Sequence, residues 1–142
     1  MLLKRGILIV AVLALVAAAC GDDDATDGGD TGGGTTASSS LDATATEFAF
    51  APTSWTVSSG ATVTVNLTND GAVEHNLVVV GGGKTVADAA ELADSDMLVN
   101  VNAAAGGSGQ GSFTAPAAGT YQVICSIPGH LPAGMEATLT VN

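Results

Sequence analysis

The sequence has few basic residues, few cysteines, few histidines and few aromatic side chains. Three Lys+Arg stand against 14 Asp+Glu, which gives 142 residues a net charge of −11. Nucleic acid and anionic membrane surfaces repel so acidic a chain, so we exclude nucleic acid as a partner. The two cysteines permit at most one bridge and exclude a disulfide-rich scaffold. The two histidines limit any imidazole-based site to two rings.

The first 19 residues have the pattern of an export signal. Lys4 and Arg5 precede an uninterrupted small and apolar run over residues 6–19, which is long enough for a signal peptide and short for a bilayer span. The run ends in small residues directly before Cys20. It resembles a bacterial lipoprotein signal in which Cys20 is lipidated; an ordinary cleaved signal and a retained anchor are the alternatives. We therefore expect an extracytoplasmic protein, anchored by lipid at the periplasmic face or the cell surface.

An acidic tether is predicted to follow. After Cys20, the segment up to residue 40 is rich in Asp, Gly, Ser and Thr and has no apolar side chain larger than Ala. It cannot bury enough apolar surface to offset the entropy of ordering, which predicts a disordered spacer. An acidic metal-collecting tail is the alternative. Residues 41–142 then form one folded domain, in which Lys84 is the basic residue.

Alternation of apolar and polar residues dominates this domain. In residues 62–69, Val63, Val65 and Leu67 share one face, which predicts a half-buried strand. Further strands are predicted over residues 73–80, 120–125 and 136–141, with one or two more around Pro52. Short strands with turn signals between them predict an all-β antiparallel sandwich, which we expect to be monomeric.

Residues 84–105 are predicted to be a long connection between the two halves of the sandwich. Glycines flank this stretch, and residues 86–93 are compatible with a short helix. Its acidic side chains are predicted to form a solvated face, and docking of a basic redox partner is the alternative. These side chains are Asp88, Glu91, Asp94 and Asp96.

The most informative stretch joins the last two predicted strands. It places Cys125, His130 and Met135 at a C-x4-H-x4-M spacing, with two prolines and two glycines in between, which predicts a loop. Strand parity points Cys125 and Met135 inward at the same end of the sandwich, with His130 at the loop apex. The other histidine, His75, shares a strand face with Leu77 and also points inward.

Two imidazoles, one thiolate and one thioether make a soft and borderline ligand set. Trigonal His2Cys coordination with a weak axial Met is typical of electron-transfer copper, whereas zinc prefers more thiolates or carboxylates. Met97 is a rival thioether without support from spacing, so we interpret it as a packing residue. The sequence therefore predicts one copper ion that cycles between Cu(II) and Cu(I).

With His-Asn on one strand and Cys-x-x-Pro-Gly-His-x-x-x-Gly-Met near the C-terminus, the domain resembles the cupredoxins, the blue copper proteins of the plastocyanin and azurin type. The resemblance implies a Greek-key β-sandwich with a short helical insertion and copper ligands at His75, Cys125, His130 and Met135. It also implies that Asn76 ties its strand to the ligand loop beside Ser126. The carbonyl of Glu74 is a further candidate for an axial contact. The implied docking and electron-exit patch is apolar: Ile127, Pro128, Leu131, Pro132 and Ala133.

Three functions compete at this point. The first is a membrane-tethered one-electron carrier that acts between redox proteins and is not an enzyme. The second is a copper-binding protein for delivery, storage or resistance, against which the scarcity of Met argues. The third is a thiol enzyme that uses Cys125 with a histidine, which leaves Met135 unexplained.

Overall fold

The computed structural model describes residues 38–142, which form two β-sheets packed face to face. The predicted signal, Cys20 and most of the predicted tether lie outside the described residues. The nine strands are β1 (Ser40–Thr46), β2 (Ala49–Ala51), β3 (Ser54–Val57), β4 (Thr62–Asn69), β5 (His75–Val80), β6 (Met97–Ala103), β7 (Ser108–Thr114), β8 (Gly119–Ile124) and β9 (Glu136–Val141). The predicted all-β sandwich is confirmed. Within residues 38–142, no helix has the length and apolarity needed to cross a bilayer.

The four-stranded sheet has the order β2-β1-β4-β7, and the five-stranded sheet has the order β3-β9-β8-β5-β6. Most strand pairs are antiparallel, as predicted, but two are not, because β1 pairs with β4 and β3 pairs with β9 in parallel. Alternation shows which face of a strand is buried, but it does not specify the partner or its direction. Ser38 already pairs with Val57, so backbone pairing begins before the predicted domain start at residue 41.

The two sheets bury one continuous core between them. The predicted inward residues of β4 are all buried, as are Leu77 and Val79 of β5. The other large core residues are Leu41, Phe50, Val57, Val101, Phe113, Val123, Leu139 and Val141. Alternating side chains of facing strands fill the interior of a sandwich in this way. Cys125 and Met135 belong to the same cluster, so the ligand loop is anchored in the core.

A second, smaller cluster lies on the outer face of the five-stranded sheet. Val78, Val80 and Ile124 are covered there by Val86 and Leu131. Because the connection after β5 packs over this face, all six residues of β5 are buried. The strand that carries His75 is therefore covered on both sides, which fixes the histidine backbone firmly.

The predicted long connection over residues 84–105 is wrong in its second half. Residues 97–103 form β6, which pairs with β5. Within residues 86–93, where a short helix is predicted, the structure has the single-turn 3-10 helix Ala89–Glu91, and a second such turn, Asp94–Asp96, follows. Lys84 Nζ donates to the Asp96 carboxylate (2.7 Å), so Asp96 is paired with a lysine of the same connection rather than simply solvated. Met97 packs against the second cluster, on the sheet face opposite the core.

Strand β7 was not predicted, because its sequence is rich in glycine and serine and lacks apolar alternation. The glycines have a packing reason. A Cβ at Gly109 would collide with the Asn102 carbonyl oxygen, and a Cβ at Gly111 would lie 2.7 Å from the Val101 side chain. Glycine in a strand marks such close approaches. These residues let β7 lie against β6 where the two sheets meet.

Candidate metal centre

Three metal-ligating side chains converge at one end of the core. His75 opens β5, Cys125 follows the last residue of β8, and His130 lies in the loop between β8 and β9. His75 Nδ1 lies 3.2 Å from His130 Nδ1, and His130 Nδ1 lies 3.3 Å from Cys125 Sγ. The three ligand atoms all lie within 4.8 Å of one another, and all three residues are buried.

This donor set fits a single metal ion. Metal–nitrogen bonds to histidine are about 2.0–2.1 Å, so two such bonds span nitrogens up to about 4 Å apart. The 3.2 Å between the two Nδ1 atoms lies within that reach. One soft thiolate and two imidazoles favour copper over the hard cations, which prefer oxygen.

The ligand loop is closed by its own backbone hydrogen bonds. The Cys125 N–H donates to the Met135 carbonyl (3.1 Å), the Met135 N–H to the His130 carbonyl (3.1 Å) and the His130 N–H to the Ile127 carbonyl (3.0 Å). Gly134 has φ of 103°, in the left-handed region that favours glycine. The three predicted loop ligands are thus bound to one another through the main chain. Met135 is fully buried, and ligation by its thioether remains a prediction.

A side-chain clamp joins the ligand loop to β5. Asn76 Oδ1 accepts from the Ser126 N–H (2.8 Å), and Asn76 Nδ2 donates to Ser126 Oγ (2.8 Å) and Asn100 Oδ1 (3.0 Å). The structure thus brings together the two residues that the resemblance placed beside each other. The backbone N–H of Asn76 also approaches Cys125 Sγ at 3.5 Å. Such donation to a ligand sulfur is a known means of tuning a metal site.

Burial controls the protonation of the metal-free site. Burial raises the pKa of the Cys125 thiol, while the backbone N–H of Asn76 acts in the opposite direction. Burial lowers the pKa of His130, and the neighbouring His75 lowers it further. Metal binding must therefore displace the thiol proton, whereas the His130 imidazole is neutral at pH 7 and keeps a lone pair for a metal.

Two residues at the site were missed by sequence reasoning. The ring centroid of Phe48 lies 4.8 Å from that of His130 and 6.4 Å from that of His75. The Glu47 carboxylate lies 3.6 Å from His75 Nε2. Both residues precede His75 by a long stretch of chain, and only the pairing of β1 with β2 and β4 carries them to the site. No spacing motif signals such a contact.

The predicted apolar patch is partly wrong. Pro128, Pro132 and Ala133 are exposed and Ile127 is half-buried. Leu131, however, is only 6% exposed, because it packs into the second cluster over the five-stranded sheet. Phe48, at 41% exposure, instead supplies a large apolar surface beside His130.

Comparisons with known proteins agree with this geometry. Residues 37–142 match the family described as copper binding proteins, plastocyanin/azurin family. Auracyanin-A of Chloroflexus aurantiacus is 40% identical over 114 residues, which covers 68% of this chain and 68% of that protein. The copper-resistant cuproprotein CopI of Rubrivivax gelatinosus is 36% identical over 98 residues, which covers 66% of this chain and 59% of that protein.

A solved structure shows the same likeness. The dithionite-reduced auracyanin of the photosynthetic bacterium Roseiflexus castenholzii superposes with a TM-score of 0.68 at 31% identity. The match covers 75% of this chain and 99% of that chain. The likeness therefore extends over nearly the whole length of that auracyanin.

Proposed function

The chain belongs to the plastocyanin/azurin family of copper-binding proteins, and from this premise we propose that it is a one-electron carrier with a mononuclear type 1 copper site. The observation that carries the proposal is the buried convergence of His75 Nδ1, His130 Nδ1 and Cys125 Sγ. Copper bound by these atoms would exchange one electron between Cu(II) and Cu(I). We assign the weak axial position to the Met135 thioether.

The protein residues supply orientation and exclusion of water. The sheet holds His75, the closed loop holds Cys125 and His130, and the clamp between Asn76 and Ser126 links the two supports. Because these supports are rigid, the ligands need to move little when the charge of the site changes. A small rearrangement lowers the barrier to electron transfer.

The visible spectrum of the purified protein with Cu(II) tests the proposal. An intense blue thiolate-to-copper band is expected, and Cys125→Ser should abolish it. Met97→Leu is the matched control, because Met97 packs on the opposite face of the sheet and should leave the band unchanged. A colourless wild-type protein would contradict the copper assignment.

The axial assignment has its own test. Met135→Leu removes a weak donor to Cu(II) while it conserves side-chain volume, so the band should persist and the reduction potential should rise. A lowered potential would count against ligation by the thioether.

Copper delivery, storage or resistance is the second candidate, favoured by the 36% identity to a copper-resistant cuproprotein. Against it, the site is buried rather than open to exchange. Repeated reduction and reoxidation without loss of copper supports the carrier, whereas rapid transfer of copper to a chelator supports delivery. A thiol enzyme fits poorly, because burial raises the pKa of Cys125. Thiol-dependent turnover by the metal-free protein would favour it.

We propose further that Cys20 is lipidated and that an acidic tether holds the copper domain outside the membrane. The expected mature protein partitions into the detergent phase and carries a lipid mass increment at Cys20. Cys20→Ala should lose both properties, and an unmodified Cys20 in the mature protein would refute the anchor.

The redox partners are proposed to dock at the exposed edge beside His130. This docking surface consists of Phe48, Ile127, Pro128, Pro132 and Ala133. Electron self-exchange should slow in Ile127→Asp and not in a distant surface variant such as Asp42→Asn. We expect the purified protein to be monomeric by light scattering.

A further inference from the structure

His75 has a second ring nitrogen that the metal site does not use. His75 Nε2 is buried and has no hydrogen-bond partner among residues 38–142. The nearest acidic group is the Glu47 carboxylate, whose Oε1 lies 3.6 Å away. A buried N–H without an acceptor is energetically costly, so we expect this nitrogen to have a hydrogen-bond acceptor when it carries the proton.

The Glu47 carboxylate is held in place from the other side. Glu47 Oε1 accepts hydrogen bonds from the backbone N–H groups of Ala72 (2.7 Å) and Val73 (3.0 Å). A Cβ at Gly71 would lie only 2.5 Å from the same oxygen, so glycine leaves the room that the carboxylate occupies. The side chain is 35% exposed, but its charged end is directed at the site by the chain that precedes His75.

We propose that Glu47 is a positioning residue that accepts the Nε2–H of His75, directs the His75 Nδ1 lone pair to copper and favours Cu(II) over Cu(I). A neutral imidazole carries one N–H, so a carboxylate that keeps the proton on Nε2 leaves Nδ1 free to bind a metal. The 3.6 Å separation exceeds a hydrogen bond, so the proposal includes a shift of the carboxylate toward the ring. The redox part of this inference rests on the proposed copper function.

Nitrogen-15 NMR of the metal-free protein at pH 8 tests this arrangement without copper. The wild type should show His75 as the Nε2–H tautomer. In Glu47→Ala the Nε2–H fraction of His75 should fall at least threefold relative to the Nδ1–H form. An unchanged tautomer ratio in a folded Glu47→Ala protein overturns the proposal.

A redox titration of the copper protein tests whether the negative charge of Glu47 favours Cu(II) over Cu(I). An elementary charge a few ångströms beyond the ring shifts the Cu(I)/Cu(II) ratio at fixed ambient potential roughly tenfold at a partly exposed site. In Glu47→Gln we expect the Cu(I)/Cu(II) ratio to rise about tenfold, which corresponds to a reduction potential higher by about 59 mV for one electron. Glu74→Gln removes the same charge from the exposed residue next to His75 and should shift the ratio less than threefold.

Gly71→Ala separates the position of the carboxylate from its charge. The added Cβ displaces Glu47 Oε1 and leaves the net charge unchanged, so the ratio should shift in the same direction as in Glu47→Gln, by a smaller factor. A blue protein in which Glu47→Gln and Glu74→Gln shift the ratio equally overturns the proposal and leaves the copper function intact. A colourless wild type overturns the copper function, and the NMR result still decides the role of Glu47.

Discussion

Replacement of Asn76 by Ala should destabilise the metal-free protein by an amount that can be estimated from its contacts. The Asn76 side chain is 4% exposed and makes three hydrogen bonds, two to Ser126 and one to Asn100. Each neutral hydrogen bond contributes about 0.5–1.5 kcal/mol net. Water can replace the bond to Asn100, which is exposed, so the two bonds to Ser126 predict a loss of about 1–3 kcal/mol in the free energy of unfolding.

The loss is measured by urea unfolding of the metal-free protein, followed by the fluorescence of Trp55, the sole tryptophan. Metal-free protein is used because copper binding to the folded state would add its own stabilisation. For a domain of about 100 residues, each kcal/mol lost from the free energy of unfolding lowers the melting temperature by about 4–8 °C, so it should fall by about 4–24 °C.

Asn100→Ala is the matched control. It removes one of the three hydrogen bonds from the exposed side and should cost less than about 1 kcal/mol. If Asn76→Ala costs no more than Asn100→Ala, the two bonds to Ser126 do not hold the ligand loop, and the clamp is refuted. The backbone N–H that approaches Cys125 Sγ survives in Asn76→Ala, so any change in the blue band reports displacement of the loop.

Three further outcomes are expected. Burial lowers the pKa of His130 from 6.5, so the unfolded state binds the proton more readily and metal-free stability should fall as pH drops through 6.5. The urea midpoint should thus decrease from pH 7.5 to pH 5.5, and less so in His130→Asn. Leu131→Ala should cost about 2–5 kcal/mol in urea unfolding, against less than about 0.5 kcal/mol for exposed Ala133→Ser. The hydrogen bond from Lys84 lowers the pKa of Asp96, so its stabilisation is present above pH 3.8 and lost below; Lys84→Met should narrow the difference in melting temperature between pH 7 and pH 3.

The parts of the fold that the sequence predicts well are those in which apolar residues alternate. Residues 62–69 and 136–141 form strands at the predicted positions, because one face of each is buried and the other is not. Strand β7 does not show this alternation, because its glycines are required by the close approach of β6 and not by the burial of side chains. Strand β6 was missed because the flanking glycines made the whole stretch read as a connection.

The same distinction separates the site residues that were predicted from those that were not. His75, Cys125 and His130 are found by strand parity and short spacing, which are properties of local sequence. Glu47 and Phe48 reach the site only because β1 pairs in parallel with β4, a choice of partner that alternation leaves open. Leu131 was misplaced for a related reason: its apolar character is compatible with a surface patch or with the second cluster, and only the packing of residue 86 over the sheet decides between them.

The backbone supports of the three ligands bear on how the site would tolerate a change of charge. His75 is fixed by the pairing of β5 with both β6 and β8, while Cys125 and His130 are fixed by hydrogen bonds of their own N–H and carbonyl groups. None of these bonds uses a ligand atom, so none would be made or broken if a bound copper ion gained or lost an electron. The same holds for the Asn76 side-chain bonds to Ser126. The approach of the Asn76 N–H to Cys125 Sγ and the contact of Glu47 with His75 differ, because both involve ligand side chains directly. These two contacts would respond to the electron density on a bound copper ion, so we expect tuning of the reduction potential to come from them rather than from the backbone bonds of the loop.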